Sequence, residues 1–405
     1  MSLTNPAIDH YLQILFNLHN RGVKLGLENT MNFLDLLGNP QRKLKCFHVA
    51  GSNGKGSTSS FIASILTEAG YKTGLYTSPH FIKYNERIRI NGQIIPDKYV
   101  IEFMAEYESV IYETNLTFFE VTTALAFKYF ADKEVDYAVI ETGLGGRLDA
   151  TNVIKPLASV ITSISLEHTH ILGHSLEQIA EEKGGIIKEK VPVFLGFLEK
   201  PAQETLIRIS EEKGSKYYKL KDYINKREHS FEFYSSELFF DNFVTPLKGS
   251  YQQLNAALAI LTLNKTIKFS DSKKILAGIK NVVTNTGIQG RYEKVHDNPR
   301  IILDSAHNLD GIQNFLKEFS KEEKKFRERY LLFSCLNDKN LEDMLIQSKP
   351  HFDLIYLFEL KDNERAVKME EFVKIAEKHE IKYKKIDDIP AFIKKFLSAA
   401  DKECL

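Results

Sequence analysis

The sequence predicts an α/β protein made of two units, each built around a largely parallel sheet. Short apolar runs alternate with helical stretches along most of the chain, and this alternation is typical of parallel α/β folds. The clearest runs are apolar on both faces, as strands buried in a parallel sheet must be. A glycine-rich turn joins the first of these strands to a helix, which is the arrangement of a P-loop.

The first unit is predicted to span residues 1–288. Five short apolar runs flanked by turn or charged residues are its expected strands: 45–50, 73–76, 137–141, 159–164 and 193–197. The helix that follows Ser57 carries apolar residues at helical spacing, and Gly70 is placed to end it. Two aromatic-rich runs, 229–234 and 238–240, flank a Ser-Ser-Glu turn, so a small antiparallel appendage is expected near 217–247.

The second unit is predicted to span residues 289–405 as a smaller, Rossmann-like α/β domain. Its expected strands are residues 301–304, 330–335 and 354–358, and its expected helices are 309–319, 366–379 and 389–400. The polar, glycine-containing stretch 282–290 is the predicted linker between the two units.

Composition excludes several classes of protein. The chain has 405 residues, and its 54 Lys and Arg are balanced by 54 Asp and Glu, so no nucleic-acid partner is expected. No apolar run approaches the ~20 residues that span a bilayer, and residues 1–6 do not begin a secretory signal. Cys46, Cys335 and Cys404 form no CxxC pair, which fits a reducing cytoplasm and argues against a disulfide framework.

The strongest functional signal follows the first predicted strand. It is the run Gly51-Ser52-Asn53-Gly54-Lys55-Gly56-Ser57-Thr58. Glycines let backbone N–H groups converge on a polyphosphate, and the helix N-terminus adds positive potential. Lys55 can reach the terminal phosphates, and Ser57 or Thr58 can bind a phosphate or its Mg²⁺. The spacing differs from GxxxxGK[ST], and a plain glycine turn is the alternative. The combined strand, lysine, hydroxyl and helix favour nucleotide binding by residues 53–58.

A second signal is Glu141, at the C-terminal tip of a predicted strand. A carboxylate in this position, on a strand beside the phosphate-loop strand, is where Mg²⁺ is usually held. The alternative is a solvated glutamate that starts a glycine-rich loop. The nearby phosphate loop favours the metal interpretation.

These segments closely resemble the folylpolyglutamate synthase/dihydrofolate synthase family of the Mur ligase superfamily, whose members are ATP-dependent amide-forming ligases. The resemblance runs from residues 25–28 and 36–40 through about Asn308. Its most specific part is residues 141–152, Glu-Thr-Gly-Leu-Gly-Gly-Arg-Leu-Asp-Ala-Thr-Asn.

The resemblance implies a set of metal-binding and catalytic residues. Ser78 and Glu141 would hold one Mg²⁺, and His168 would be a further Mg²⁺ ligand. Glu167 stands before that histidine where the family more often has Asp. Lys183 matches a lysine that is carbamylated in the family, although Gly184 follows it where Ala is usual.

The resemblance also implies contacts with nucleotide and substrate. Four residues of the later chain would contact ATP: Asn255, Arg291, Asp304 and His307. The segment around them departs from the family at Ser305 and Leu309, and Gln289 replaces a Pro. Two segments would contact the pterin-side substrate, namely Thr117, Phe118, Phe119 and Glu120, and Leu148, Asp149 and Ala150.

Taken singly, most of these residues have plainer explanations, and only the joint pattern favours the functional ones. The alternatives are a turn at Ser78, a loop histidine at His168, core packing at Phe118 and Phe119, a solvated helix face at Lys183 and a linker ion pair at Arg291. Asp304 is the exception, because an acid at a strand tip before a helix is typical of ligand sites.

The implied activity is the ATP-dependent addition of L-glutamate to a folate or dihydropteroate carboxylate through an acyl phosphate. Lys55, His168, Lys183 and Arg291 would be the catalytic residues, and ATP and Mg²⁺ the cofactors. A Mur-type ligase of a UDP-linked peptidoglycan precursor is the alternative within the superfamily; residues 144–149 and 117–120 favour the folate branch. A non-enzymatic nucleotide switch is the alternative from another class, but no Asn-Lys-x-Asp segment occurs. A cytoplasmic monomer is expected.

Overall fold

A computed structural model describes residues 6–22, 26–226, 231–361, 363, 365–398 and 403–404. The chain forms two compact units, the first made of Met1–Leu166, His174–Pro246 and Gln252–Ile288. The second unit consists of Glu167–Gly173, Leu247–Tyr251 and Gln289–Leu405. Two short segments from the first 288 residues therefore group with the second unit. The division into domains at 288/289 remains a prediction.

The first unit is built on an eight-stranded sheet in the order β4-β3-β2-β5-β1-β6-β7-β8. Its strands are β1 Cys46–Ala50, β2 Thr73–Tyr76, β3 Ile88–Ile90, β4 Gln93–Ile94, β5 Tyr137–Glu141, β6 Ala158–Ile161, β7 Val193–Leu195 and β8 Tyr217–Lys219. All neighbours pair in parallel except β3, which pairs antiparallel with both β2 and β4. The carboxyl ends of β1 and its neighbours β5 and β6 thus meet at one edge, which confirms the predicted α/β fold class.

Helices form a large part of the rest of the described chain before residue 289, and the one at Thr169–Leu172 belongs to the second unit. They are α1 Pro6–Asn17, α2 Glu28–Leu36, α3 Lys55–Glu68, α4 Asp97–Glu113, α5 Phe118–Asp132, α6 Thr169–Leu172, α7 Leu176–Gly184, α8 Lys200–Glu212, α9 Ser250–Ile267, α10 Ser272–Lys280 and α11 Val282–Thr286. The helix after the phosphate loop, α3, is buried along most of its length. It packs so closely on α10 that a Cβ added to Gly278 would lie 2.5 Å from the Ile65 Cα.

The five predicted strands of this unit are all present, with bounds that differ by up to three residues at either end. The antiparallel appendage is also present, as a three-stranded sheet of β9 Ile224–Lys226, β10 Phe231–Tyr234 and β11 Phe239–Asp241. His229 and Ser230 of the predicted hairpin, and Leu25 of the resembling segment, lie outside the described residues.

The prediction of an interdomain linker is wrong for residues 282–286, which form α11. Val282 and Thr286 are buried, and α11 packs on α3. The Asn285 side chain donates to Glu68 Oε1 at 2.9 Å and to Ser64 Oγ at 3.1 Å. The buried Val282 and the side-chain hydrogen bonds of Asn285 therefore hold a segment whose polar composition had suggested a linker.

The second unit contains a six-stranded sheet in the order β12-β13-β17-β14-β15-β16, in which only β12 pairs antiparallel. Its strands are β12 Glu293–Asp297, β13 Arg300–Leu303, β14 Glu328–Phe333, β15 Leu354–Leu357, β16 Tyr383–Lys385 and β17 Glu403–Cys404. Its helices after residue 289 are α12 Leu309–Phe319, α13 Leu341–Ser348, α14 Met369–Lys378 and α15 Ile389–Ser398. Residues 399–400 of the predicted last helix lie outside the described residues.

In the part of the chain that the structure describes, none of the helices combines the length and the apolarity that a bilayer crossing needs.

Candidate active site

The phosphate loop connects β1 to α3 and is fixed by residues that follow the neighbouring strand β6. Ser52 N donates to Ser163 O at 2.8 Å, and Asn53 N donates to Ser163 Oγ at 2.9 Å. Thr162 Oγ1 donates to Asn53 O at 2.6 Å. A Cβ on Gly51, whose φ is 151°, would lie 1.9 Å from Thr162 Oγ1. Only glycine permits this close approach, and backbone and hydroxyl hydrogen bonds fix the conformation of the loop.

Gly54 occupies the left-handed region and places Asn255 beside the loop. Its φ is 85°, and a Cβ there would lie 2.6 Å from Asn255 Oδ1. Asn255 Nδ2 donates to Gln252 Oε1 at 3.1 Å, so the side chain is oriented by its own helix. A residue predicted to contact nucleotide is therefore adjacent to the loop predicted to hold the phosphates.

Two lysines converge on one backbone carbonyl of the loop. Lys55 Nζ donates to Gly51 O at 2.8 Å and to Ser52 O at 3.1 Å. Lys183 Nζ donates to the same Gly51 O at 3.0 Å, and Lys183 is only 2% exposed. The plain interpretation of Lys183 as part of a solvated helix face is wrong. Both lysines face the phosphate loop.

Two buried hydroxyls lie in the first turn of α3. Ser57 and Thr58 are fully buried behind the loop. Thr58 Oγ1 has no hydrogen-bond partner among the described residues. A buried polar atom without a partner is costly, so an orphaned hydroxyl at this position fits a ligand that supplies the missing partner. The loop glycines, Lys55 and these hydroxyls together form a donor set suited to a nucleotide's phosphates.

The two predicted Mg²⁺ ligands of the first unit lie together. Glu141 ends β5, where it is in register with Val49 of the phosphate-loop strand. Ser78 follows the other neighbour of β5, and its backbone N donates to Glu141 Oε2 at 3.1 Å. The side chain of Glu141 is 97% buried, so the carboxylate is shielded from bulk water. A carboxylate beside a serine hydroxyl is an all-oxygen donor set, which is the kind that Mg²⁺ prefers.

Asp149 shapes the loop that follows Glu141. Its Oδ2 accepts from Gly143 N at 2.9 Å and from Leu144 N at 2.8 Å, and its Oδ1 accepts from the Thr151 hydroxyl. Burial raises the pKa of Asp149, although these hydrogen bonds act against the rise. Leu148 is half-buried, and Ala150 is buried. The structure therefore gives Asp149 a loop-holding role, and its predicted substrate contact remains a prediction.

Thr151 connects this loop to the phosphate-loop strand. Its Oγ1 lies 2.8 Å from Nε2 of His48, a fully buried residue of β1. Burial, with a smaller effect of the Lys188 charge, lowers the pKa of His48 to about 3. The imidazole therefore stays neutral at physiological pH.

The Thr117–Glu120 segment starts α5 with a capping box. Thr117 Oγ1 accepts from Glu120 N at 3.3 Å, and Glu120 Oε2 accepts from Thr117 N at 2.7 Å. Phe118 is 4% exposed and stacks on His19 with ring centroids 4.0 Å apart. The Arg87 guanidinium carbon lies 5.0 Å from the Phe118 ring centroid, and Phe119 packs against Tyr76. These residues have clear structural roles, and their predicted substrate contacts remain predictions.

Three further predicted residues lie together in the second unit. Asp304 accepts from Tyr292 N and from Ala306 N, both at 2.7 Å, and burial raises its pKa. Arg291 NH1 donates to the Ser305 hydroxyl. Ser305, which differs from the residue usual in the family, therefore contacts Arg291 directly. His307 is exposed, and its Nδ1 lies 2.9 Å from Ser305 O.

His168 belongs to the second unit and is surrounded by charged residues that the sequence analysis missed. Its Nδ1 lies 3.1 Å from Asp338 Oδ2, and its Nε2 lies 3.2 Å from Lys339 Nζ. No short motif connects His168 to residues 170 positions later, so the contacts depend on the tertiary fold. Thr162 and Ser163 were also missed, because they fell inside the predicted strand 159–164, whereas the observed strand β6 ends at Ile161 and leaves them at its carboxyl end.

A cleft of about 950 Å³ lies in the first unit at the opposite edge of the sheet. Its lining includes residues that precede β1, β6 and β7, among them Leu44, Lys155 and Lys188. The phosphate loop follows the carboxyl end of β1. The chemistry of the side chains, and not the size of a cavity, therefore locates the candidate site.

Comparisons with known proteins agree with this site. The model of the Mur ligase middle domain matches residues 49–263, and that of the Mur ligase, glutamate ligase domain, matches residues 290–404. A dihydrofolate synthase/folylpolyglutamate synthase of Bacillus subtilis is 38% identical over 350 residues, covering 81% of this chain and 80% of the relative. The Escherichia coli protein of the same name is 34% identical over 345 residues, covering 85% and 79%.

Solved structures show the same fold with ligands. E. coli FolC in complex with DHPP and ADP superposes with a TM-score of 0.87 at 31% identity, covering 98% of this chain and 93% of that one. A bifunctional folylpolyglutamate synthase/dihydrofolate synthase with Mn, AMPPNP and L-glutamate bound has a TM-score of 0.84 at 27% identity, with the same coverage. Relatives of this chain are ATP-dependent ligases that use a divalent metal. The chain belongs to the Mur ligases and, among them, to the folylpolyglutamate synthase/dihydrofolate synthase family.

Proposed function

We propose that this chain joins L-glutamate to a carboxylate of a folate or of dihydropteroate in an ATP-dependent reaction. The observation that carries the proposal is the placement of Lys55 at the phosphate loop after β1, next to Glu141, which ends the neighbouring strand β5 and accepts a hydrogen bond from Ser78 N after β2. That arrangement supplies phosphate and metal binding at one edge of one sheet. The relatives named above supply the substrate class.

The chemistry follows from the weakness of a carboxylate as an electrophile. Transfer of the γ-phosphoryl group of ATP to the acceptor carboxylate gives an acyl phosphate and ADP. The α-amine of glutamate attacks the acyl carbon, and phosphate leaves as the amide forms. Lys55 stabilises the negative charge of the transferring group, because its ammonium is aimed at the loop where the phosphates bind.

Ser78 and Glu141 would hold the Mg²⁺ that accompanies the nucleotide, and His168 would hold a further ion. When bound, Mg²⁺ neutralises charge on the phosphates. Glu141 contributes a buried anionic oxygen, and the backbone N of Ser78 fixes the direction in which that carboxylate points. The phosphate loop and Asn255 would bind the nucleotide. Arg291, Asp304 and His307 are proposed as further nucleotide contacts.

Lys183 is proposed to act as a carbamate. An unmodified ammonium beside Lys55 places two positive charges near the same Gly51 carbonyl. The neutral amine is the form of a lysine that reacts with CO₂. The resulting carbamate carries anionic oxygens, which suit a hard cation.

The proposal also covers the substrate-binding residues, the two acceptors, the cellular location, the oligomeric state and the domain division. The substrate loops are Thr117–Glu120 and residues 148–150, and both acceptors, folate and dihydropteroate, are proposed substrates. A cytoplasmic monomer that divides into domains at 288/289 is proposed as well, and gel filtration with light scattering tests the monomer.

A phosphate-release assay tests the function. Purified protein is given ATP, Mg²⁺ and L-glutamate with tetrahydrofolate, with dihydropteroate or with a UDP-linked muramyl peptide, and the product masses are measured. We expect glutamate-dependent phosphate release and addition of one glutamyl group with a pterin acceptor. If phosphate is released only with the muramyl peptide, the protein is a ligase of a peptidoglycan precursor and the proposed function is wrong. If the protein binds nucleotide but releases no phosphate with any of the three acceptors, the result would support a non-enzymatic nucleotide switch.

A further inference from the structure

Arg87 is a buried cation at the edge of the sheet that carries the candidate site. The residue is 7% exposed and directly precedes β3. Its Nε donates to His80 Nδ1 at 2.8 Å. Within the described part of the chain, its two terminal nitrogens donate no hydrogen bond, and no carboxylate lies within ion-pair distance of them. Because a buried charge is costly without a counter-charge, this arrangement favours the binding of an anion.

The acidic residues near Arg87 do not form an ion pair with it. Glu86, its neighbour in sequence, accepts from Phe81 N at 2.9 Å and from Lys83 N at 2.8 Å, so its carboxylate holds an exposed loop. Burial lowers the pKa of Arg87, and the charge of Glu141 acts against this fall. A guanidinium stays protonated in proteins, so Arg87 is a fixed positive charge.

The order of the strands places Arg87 on the far side of the proposed Mg²⁺ ligands from the phosphate loop. Since β3 runs antiparallel to β2, it begins at the edge where β2, β5 and β1 end. Thr77 N donates to Arg87 O at 3.0 Å, which ties Arg87 to the residue before Ser78. Along this edge come Arg87, Ser78 after β2, Glu141 at the end of β5, and the phosphate loop after β1. Three strand spacings, about 14 Å, separate β3 from β1.

We propose that Arg87 binds the carboxylate of the acceptor substrate, the group that receives the γ-phosphoryl group; this role rests on the function proposed above. In phosphoryl transfer, the attacking and leaving oxygens lie roughly in line on opposite sides of the transferring group. With the nucleotide at the phosphate loop and Mg²⁺ at Ser78 and Glu141, the acceptor lies on the side of Arg87. A planar guanidinium matches a carboxylate, because it can donate two parallel N–H bonds to its two oxygens.

The surroundings of the guanidinium agree with an acceptor site. Its carbon lies 5.0 Å from the ring centroid of Phe118, a residue of the proposed substrate loop. This cation–π contact and the bond from Nε to His80 hold the side chain without using its terminal N–H groups. Arg87 therefore joins the proposed metal ligands to the proposed substrate loop.

Two acceptors that differ in one group test this role. Calorimetry measures the Kd of dihydropteroate, and of its carboxamide, for the full-length protein with ADP and Mg²⁺ but no glutamate. We expect the wild-type protein to bind the carboxylate at least about 10-fold more tightly than the carboxamide. Arg87→Gln should weaken binding of the carboxylate by about 10- to 100-fold and leave binding of the carboxamide nearly unchanged. Arg87→Lys, which keeps the charge but not the paired donors, should recover part of the loss.

Arg89→Gln is the matched control, because Arg89 lies two residues further along the same segment and donates to Gly92 O at 3.0 Å. This variant should keep the wild-type preference for the carboxylate. Equal binding of the two acceptors by the wild-type protein would overturn the proposal, whether or not any variant folds. A full preference in Arg87→Gln, shown to be folded by circular dichroism and its unfolding midpoint, would overturn it as well.

A nucleotide phosphate is the other anion that a guanidinium could bind. The affinity for a non-hydrolysable ATP analogue, measured with Mg²⁺ and without acceptor, should be equal in the wild-type protein and Arg87→Gln. If Arg87→Gln weakens binding of the analogue but not of the carboxylate, Arg87 binds phosphate and the proposal is wrong. If the wild-type protein binds neither acceptor, the proposed function is wrong and this role with it. If the acceptors bind and are glutamylated while Arg87→Gln keeps the preference, only the role of Arg87 is wrong.

Discussion

Lys55 and Lys183 donate to the same acceptor, the carbonyl oxygen of Gly51, from two different helices. Their Nζ atoms lie 2.8 and 3.0 Å from that oxygen. Lys55 comes from the helix that follows the phosphate loop, whereas Lys183 comes from α7, more than a hundred residues later. One backbone carbonyl of the phosphate loop thus connects α3 to α7.

Lys55→Ala should lower kcat by about 10²-fold or more, because it removes a preorganised positive charge from the transferring phosphoryl group. The measurement is steady-state phosphate release with saturating acceptor and glutamate. Lys45→Ala is the control, since Lys45 is exposed just before β1. Near-normal kcat in Lys55→Ala would contradict the phosphoryl-transfer assignment.

Glu141→Gln should raise the Mg²⁺ concentration needed for half-maximal activity and lower the maximum. The amide keeps the shape of the side chain and can still accept from Ser78 N, but it lacks the negative charge that Mg²⁺ requires. A Mg²⁺ titration at fixed ATP measures the effect. Glu199→Gln, at the exposed start of α8, is the control. An unchanged titration curve would show that Glu141 is not a ligand.

Lys183→Ala should be nearly inactive, and short carboxylates should restore part of the activity. In wild-type protein equilibrated with ¹³C-bicarbonate, a ¹³C carbamate signal should appear that Lys183→Ala lacks. Lys200→Ala, in which an exposed lysine of α8 is lost, should keep both signal and activity. Full activity in Lys183→Ala, or a high-resolution density map of active enzyme with an unmodified side chain, would refute the carbamate.

Gly54→Ala should weaken nucleotide binding and destabilise the fold by about 1 kcal/mol or more, because φ is 85° and the new Cβ would lie 2.6 Å from Asn255 Oδ1. Gly70→Ala is a matched control with a φ of 95° and no atom within 4 Å of the new Cβ. The two variants share the backbone strain, and only the first has the collision. Equal loss of ATP affinity in both, measured by calorimetry, would show that contact with Asn255 is unimportant.

The stability of the first unit should fall as pH decreases below 6.5, partly because of His48. The pKa of His48 is about 3 in the folded protein, whereas its ordinary value is 6.5. Between pH 3 and pH 6.5, His48 therefore binds a proton in the unfolded chain but not in the folded protein. The free energy of unfolding should therefore fall by up to about 1.4 kcal/mol per pH unit across that window. Urea titrations at pH 7.5, 6 and 5 measure the slope. His48→Asn should flatten it, whereas His174→Asn, at an exposed site, should leave it unchanged.

Most of the first sheet could be predicted from the sequence because buried parallel strands are locally distinctive. The run that became β1 is mostly apolar and is followed by Gly51, and Glu141 ends a similar run. Each signal is contained within a few consecutive residues. The phosphate loop and the acid proposed to bind the metal could therefore be recognised locally.

The other features of the fold and the site could not be predicted, because they depend on contacts between residues that are distant in sequence. Lys183 sits in a charged run, and only its contact with Gly51 distinguishes it from a surface lysine. Residues 282–286 were predicted to be a linker because the local sequence does not reveal that Val282 is buried or that Asn285 forms hydrogen bonds with α3. The pairing of His168 with Asp338 joins residues that no spacing rule connects.

The close packing of α10 on α3 has a genetic consequence. A methyl group at Gly278 would meet the backbone of Ile65, about two turns beyond the buried hydroxyls of Ser57 and Thr58. An allele with Ala at 278 would therefore displace the helix that carries those hydroxyls. A selection for loss of the enzyme would recover such an allele, although position 278 lies more than two hundred residues from the loop it impairs. A shorter side chain at position 65 would not suppress it, because the collision is with the backbone.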